Sequence, residues 1–140
     1  MRISCQSFSW GASCWLTHEG AHSSSMLGIL FSAQYCKNSS SRSCAAETVA
    51  AALAGEKIVA VGEVGLDYHW APETAGRQKE ALAVQIELAR QADKPVILHN
   101  REATADLYDL LRAHRGARGV VHCFSDGVEV ARQALDLGYY

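Results

Sequence analysis

Three short apolar runs, each followed by an amphipathic stretch, constrain this chain more than any other feature. Residues 58–61 form a β-branched run ending in Gly62-Glu63; the loop 65–73 follows, and then a helical pattern over about 74–92. In that pattern Leu82, Ile86 and Ala89 share one stripe, widened by Ala81, Val84 and Leu88, with Lys79, Glu80, Glu87, Arg90 and Gln91 opposite. Asp93-Lys94-Pro95 ends it. Residues 96–98 are the second run, ending at His99, and the helix expected over 102–114 turns Ala103, Leu107, Leu110 and Leu111 inward. Val120-Val121 is the third, ending at His122-Cys123; Asp126 with Glu129 predicts a capping box for a helix bearing Val128, Ala131, Ala134 and Leu135, closed at Gly138. Strands without polar alternation, each followed by an amphipathic helix, call for a parallel sheet with right-handed crossovers. The fold class is therefore α/β, and the pattern alone leaves doubly wound sheet and barrel open.

Length bounds the choice. At 140 residues the chain holds one ordinary domain, whereas a complete eight-unit barrel takes about 250 residues. With 13 Lys+Arg against 15 Asp+Glu, the net charge of −2 excludes a protein that grips nucleic acid by bulk positive charge. No apolar run reaches the length of a membrane-spanning helix.

Composition also divides the chain. Residues 1–45 carry 12 serines and four of the five cysteines (Cys5, Cys14, Cys36, Cys44), but only four charged residues. They lack helical or strand periodicity except over the apolar stretch 26–33, which suits a strand or a buried turn. The order of a secretory signal is missing, and the cysteine spacing forms no paired zinc arms, so unpaired thiols and a cytoplasmic location are expected. His18, Glu19 and His22 fit the H-E-x-x-H spacing of a zincin-type metalloprotease, but Gly20 and the following serines deny the motif the helix its chemistry needs. Two domains of reading result: an unassigned, irregular 1–45 outside the main fold, and 46–140, which holds the strand-helix units.

Chemistry in parallel α/β folds gathers beyond the carboxyl ends of the strands. Here those ends read Glu63, His99 and His122: one carboxylate and two imidazoles, a ligand set for a divalent ion such as Zn²⁺ or Mn²⁺. Taken singly, each histidine also suits a packed ring, and Glu63 suits a helix cap or a pair with Arg101. Read as a site, the three side chains should be aimed at a common point.

The words around these positions are Val59-Ala60-Val61-Gly62-Glu63-Val64-Gly65-Leu66-Asp67-Tyr68, then Arg77-Gln78, then Pro95-Val96-Ile97-Leu98-His99-Asn100-Arg101, then His122-Cys123-Phe124-Ser125. In this order and spacing they resemble the TatD-related family of metal-dependent deoxyribonucleases, in the amidohydrolase-like barrel superfamily, over about residues 46–140. The resemblance implies a (β/α)8 barrel with two divalent ions that hydrolyse phosphodiester bonds, Glu63 being the carboxylate shared by both ions and catalytic, and His99 and His122 ligands of the second ion. It implies DNA or another phosphodiester as substrate and Mg, Mn or Zn as the metal; the sequence itself points to no membrane and no obligate protein partner. Arg101 is then placed to offer a fork to phosphate, and His69 to contact substrate.

This sequence departs from the family pattern in lacking a His-x-His pair, and so two ligands of the first ion; at most one ion is expected here. The chain reads as a family member truncated at both ends, a partial barrel of about three β-α units with impaired activity. Open sheet edges should leave it poorly stable or prone to aggregate. Two other readings use fewer residues: a non-catalytic barrel remnant that binds one metal or a partner, and the zincin-type protease through His18, Glu19 and His22.

Overall fold

A computed structural model describes residues 28–30, 49–51, 53, 54 and 58–140. Among these residues four strands lie in one parallel sheet in chain order: β1 (Gly28–Leu30), β2 (Ile58–Asp67), β3 (Val96–Arg101) and β4 (Gly119–Val121). Three helices, α1 (Ala75–Gln91), α2 (Thr104–Ala113) and α3 (Val128–Asp136), follow β2, β3 and β4 in turn. This is the alternating α/β pattern expected of the three units. The strand β1 lies within the apolar stretch 26–33, where strand and buried turn had been open, and it pairs with β2 at Gly28↔Ile58, Ile29↔Ala60 and Leu30↔Val61. His18, Glu19 and His22 lie outside the described residues.

The core is the layer between the sheet and its helices. Val61, Leu66, Leu82, Ile86, Val96, Leu98 and Leu107 are fully shielded from solvent, and Val49 and Leu53 of a helical segment ahead of β2 join them. On β3 burial alternates, Val96 and Leu98 being buried while Ile97 and His99 are half-buried on the other face. That alternation puts His99 on the face away from the apolar core. At full burial each Leu or Ile side chain contributes about 1.5–3 kcal/mol, so the stripe Leu82, Ile86 and Ala89 on α1 is what fastens the first crossover.

Three local expectations are corrected. β2 does not stop at Glu63; it continues through Asp67, so residues 65–67 are strand and not loop. Pairing explains this: Gly65↔His99, Leu66↔Asn100 and Asp67↔Arg101 continue the β3 ladder beyond a register shift between Val61 and Val64. The capping box fails: Gly127 is the N-cap of α3, with no side-chain cap, while Asp126 accepts hydrogen bonds from Asn100 Nδ2 at 2.9 Å and Thr104 Oγ1 at 3.1 Å. The inward stripe is Val130 and Ala134 on α3, Ala134 as expected, with Leu137 just past its end; Val128 is 69% and Leu135 56% exposed. Both stripes have helical spacing, and packing beneath the helix chooses between them.

Beyond β4 the chain begins another parallel pairing. Gly119 bridges Tyr139, Tyr140 N–H donates to Gly119 O at 3.0 Å, and Val121 N–H donates to Tyr140 O at 2.7 Å. Among the described residues no helix is long and apolar enough to cross a membrane.

Candidate functional site

Glu63 and His99 come together because β2 and β3 are hydrogen-bonded neighbours whose register sets Gly65 opposite His99. Glu63 Oε1 lies 3.1 Å from His99 Nδ1, and both side chains are about a third exposed, at 34% and 33%. On the other side of the ring, Nε2 lies 3.0 Å from Oδ2 of Asp67, whose side chain is only 5% exposed. His99 therefore stands between two carboxylates on the end of the sheet.

The electrostatics follow the contacts. The hydrogen bond with His99 holds the Glu63 carboxyl below the usual carboxylate range, against the opposing effect of partial burial, and the charges of His99 and His122 add to the lowering. The same bond raises His99 above the usual histidine value; burial opposes this, and Asp67 assists it. An imidazolium at this position is stabilised by two anions.

His122 sits in the turn just after β4, its backbone N–H donating to Leu98 O at 2.8 Å. The side chain is exposed and near enough to influence Glu63, but its Nε2 lies 3.1 Å from Sγ of Cys123. Of the three strand-end residues, the structure thus brings Glu63 and His99 into contact and leaves the His122 ring against its neighbour. Among the described residues no three His, Cys, Asp or Glu side chains form a group able to hold an ion. As donors the Glu63–His99 pair nevertheless fits a divalent cation: one carboxylate oxygen and one imidazole nitrogen face each other, and a buried carboxylate backs the ring, as is usual behind a metal-ligating histidine.

Arg101 and His69 meet at a second spot on the same rim. The Arg101 guanidinium lies over the Trp70 ring, 5.7 Å from its centroid, and His69 sits edge-on to that ring at 4.7 Å. His69 Nδ1 also lies 2.8 Å from Glu102 Oε1. Sequence reasoning overlooked Trp70, which is 60% exposed in the loop after β2, and gave no part to Asp67 or Gln78. Gln78 is the clasp of that loop: its Oε1 accepts the Asp67 N–H at 2.7 Å, and its Nε2 donates to Asp67 O and Ala71 O, each at 3.0 Å, and to Thr74 Oγ1 at 2.9 Å. A sequence signal for Asp67 existed in its position just past an acidic strand end, but its partners depend on strand register.

Comparison with known proteins identifies the family. The family model described as TatD related DNase matches residues 3–140. The chain belongs to this family. It is 44% identical over 90 residues to the uncharacterized metal-dependent hydrolase YabD of Bacillus subtilis, an alignment covering 62% of this chain and 35% of that protein. To the 3'-5' ssDNA/RNA exonuclease TatD of Edwardsiella piscicida it is 41% identical over 90 residues, covering 63% of this chain and 35% of the relative. Among solved structures, YjjV, a TatD homologue from Escherichia coli, superposes with a TM-score of 0.68 at 36% identity, covering 79% of this chain and 43% of that one. The TatD-related chain described here therefore spans about a third of the length of these curated relatives.

Proposed function

We propose that the protein is a metal-dependent phosphodiesterase of the TatD type, acting on DNA, with Glu63 and His99 holding a divalent ion, His122 joining them once its ring turns from Cys123, and Glu63 the catalytic carboxylate. All three lie within 46–140, the part we assign to the barrel units. The observation that carries the reading is the 3.1 Å contact between Glu63 Oε1 and His99 Nδ1 on adjacent strand ends. Two relatives give it direction, one described as a metal-dependent hydrolase and the other as an exonuclease on single-stranded DNA and RNA. Bound there, a divalent cation supplies Lewis-acid polarisation of a phosphoryl oxygen. The chain's own residues do the rest. Glu63 contributes an anionic oxygen that its neighbours keep deprotonated. His99 offers a nitrogen held in place from behind. Arg101 and His69, gathered around Trp70, give a cationic fork and an imidazole for the phosphate and the flanking nucleotide.

Calorimetric titration of the chain with Mn²⁺, paired with hydrolysis of a single-stranded oligodeoxynucleotide, tests this. Glu63→Gln and His99→Ala are each expected to lower Mn²⁺ affinity at least tenfold and to abolish any metal-dependent hydrolysis. Uptake that is the same in the wild type and both variants overturns the assignment.

A further inference from the structure

Asp67 ends β2 with every oxygen of its carboxylate engaged, while its residue is only 4% exposed. Oδ1 accepts the backbone N–H groups of His69 and Trp70, both at 3.0 Å, and Oδ2 faces His99 Nε2 at 3.0 Å. Gln78 clasps the Asp67 main chain from the other side through its N–H and its carbonyl. The carboxylate can neither turn nor retreat without breaking these bonds. A carboxylate only accepts hydrogen bonds, so the ring nitrogen that faces it at this distance carries a proton. In a neutral imidazole one nitrogen is a donor and the other is bare, and the bare one is then Nδ1, the atom that faces Glu63. The opposite tautomer would set the Nε2 lone pair against a buried carboxylate. In the imidazolium both contacts carry a proton; once the ring is neutral Glu63 is the weaker claimant, because its side chain is 34% exposed against 5% for Asp67.

We propose that Asp67 is the positioning residue of this centre: it fixes the tautomer and ring orientation of His99, so that Nδ1 is the bare nitrogen presented beside Glu63. The inference rests on the reading of Glu63 and His99 as donors to a divalent ion and adds which nitrogen serves and what holds it. The Asp67→Asn exchange is informative because the two oxygens are not equivalent. Two backbone N–H groups claim the Oδ1 position, so the amide oxygen must settle there. The amide NH₂ then faces Nε2, which becomes an acceptor. The proton is driven to Nδ1 and aimed at Glu63 and at any incoming cation.

The test is ring ¹⁵N NMR on the full chain labelled at histidine, at alkaline pH where the ring is neutral, with the His99 signals assigned by their loss in His99→Gln. In the wild type Nε2 is expected to give the protonated, pyrrole-type signal and Nδ1 the bare, pyridine-type one; the reverse pattern overturns the proposal with no Asp67 variant needed. In Asp67→Asn the two signals should exchange, and Zn²⁺ affinity measured by calorimetry should fall about 10–100-fold. An unchanged tautomer in a folded Asp67→Asn chain overturns it as well. Exchange of the signals with no Zn²⁺ uptake by the wild type upholds the role of Asp67 and removes the metal reading instead, which keeps the two failures apart.

Discussion

Gly65 and His99 are register partners across β2 and β3, and a Cβ on Gly65 would stand 1.9 Å from the His99 carbonyl oxygen. The position also has φ of +155°, a backbone conformation that side chains rarely adopt. Gly65→Ala is therefore expected to cost at least about 3 kcal/mol, because it adds strain and pushes apart the two strands that carry the site. Urea unfolding should show a much lower midpoint or no folded baseline. A loss below about 1 kcal/mol would mean that the strands are not this close in solution.

The Glu63–His99 contact makes stability depend on pH in a bounded window. Glu63 is depressed from 4.5, so its share is present above 4.5 and disappears as pH falls through its folded value. His99 is raised from 6.5, so its share is present below 6.5 and disappears as pH rises through its folded value. With chelator present, the stability difference between the wild type and Glu63→Gln is expected to be greatest from 4.5 to 6.5 and to shrink on both sides. Both groups are partly exposed, so the effect should also weaken with added salt. A difference that is flat with pH contradicts the pairing.

Gln78→Ala removes four hydrogen bonds that hold the loop from Asp67 to Thr74. Part of the freed backbone reaches water, so a loss of about 1–3 kcal/mol is expected. Amide exchange at His69 and Trp70, which lie in that loop, should quicken more than exchange in α2. Uniform quickening throughout would point to global destabilisation alone.

Tyr139 is buried with its hydroxyl unpartnered, and burial pushes its pKa up to about 12. Because the folded value lies above the ordinary 10.0, folding favours the protonated phenol, and stability should decline once pH exceeds 10.0. Tyr139→Phe is expected to match or exceed the wild type at neutral pH, by roughly 1 kcal/mol, since it relieves a buried polar group without leaving a large cavity. Its alkaline decline should be shallower, as followed by circular dichroism.

Legibility in the sequence varied with how local the cause was. The stripe Leu82, Ile86, Ala89 is written in helical spacing and is buried as expected. Glu63 and His99 stood out because an apolar run stops at each of them. The extension of β2 was hidden, since Gly62, Glu63 and Gly65 break its apolar run and only the β3 ladder keeps 65–67 extended. The same holds for Asp126, whose spacing to Glu129 imitates a cap while its real partners, Asn100 and Thr104, belong to another unit. Trp70 carried no pattern at all; its importance comes from Arg101 lying over its ring and His69 sitting edge-on to it.

The crossover through α1 also sets when these side chains can meet. Glu63 and Asp67 arrive on one strand, His99 on the next, and nothing short of the zipped β2–β3 ladder holds the three together. A collapsed chain with every helix formed but that ladder open would hold none of these contacts. These contacts come with that ladder, so a probe of the His99 ring also reports that this unit has folded.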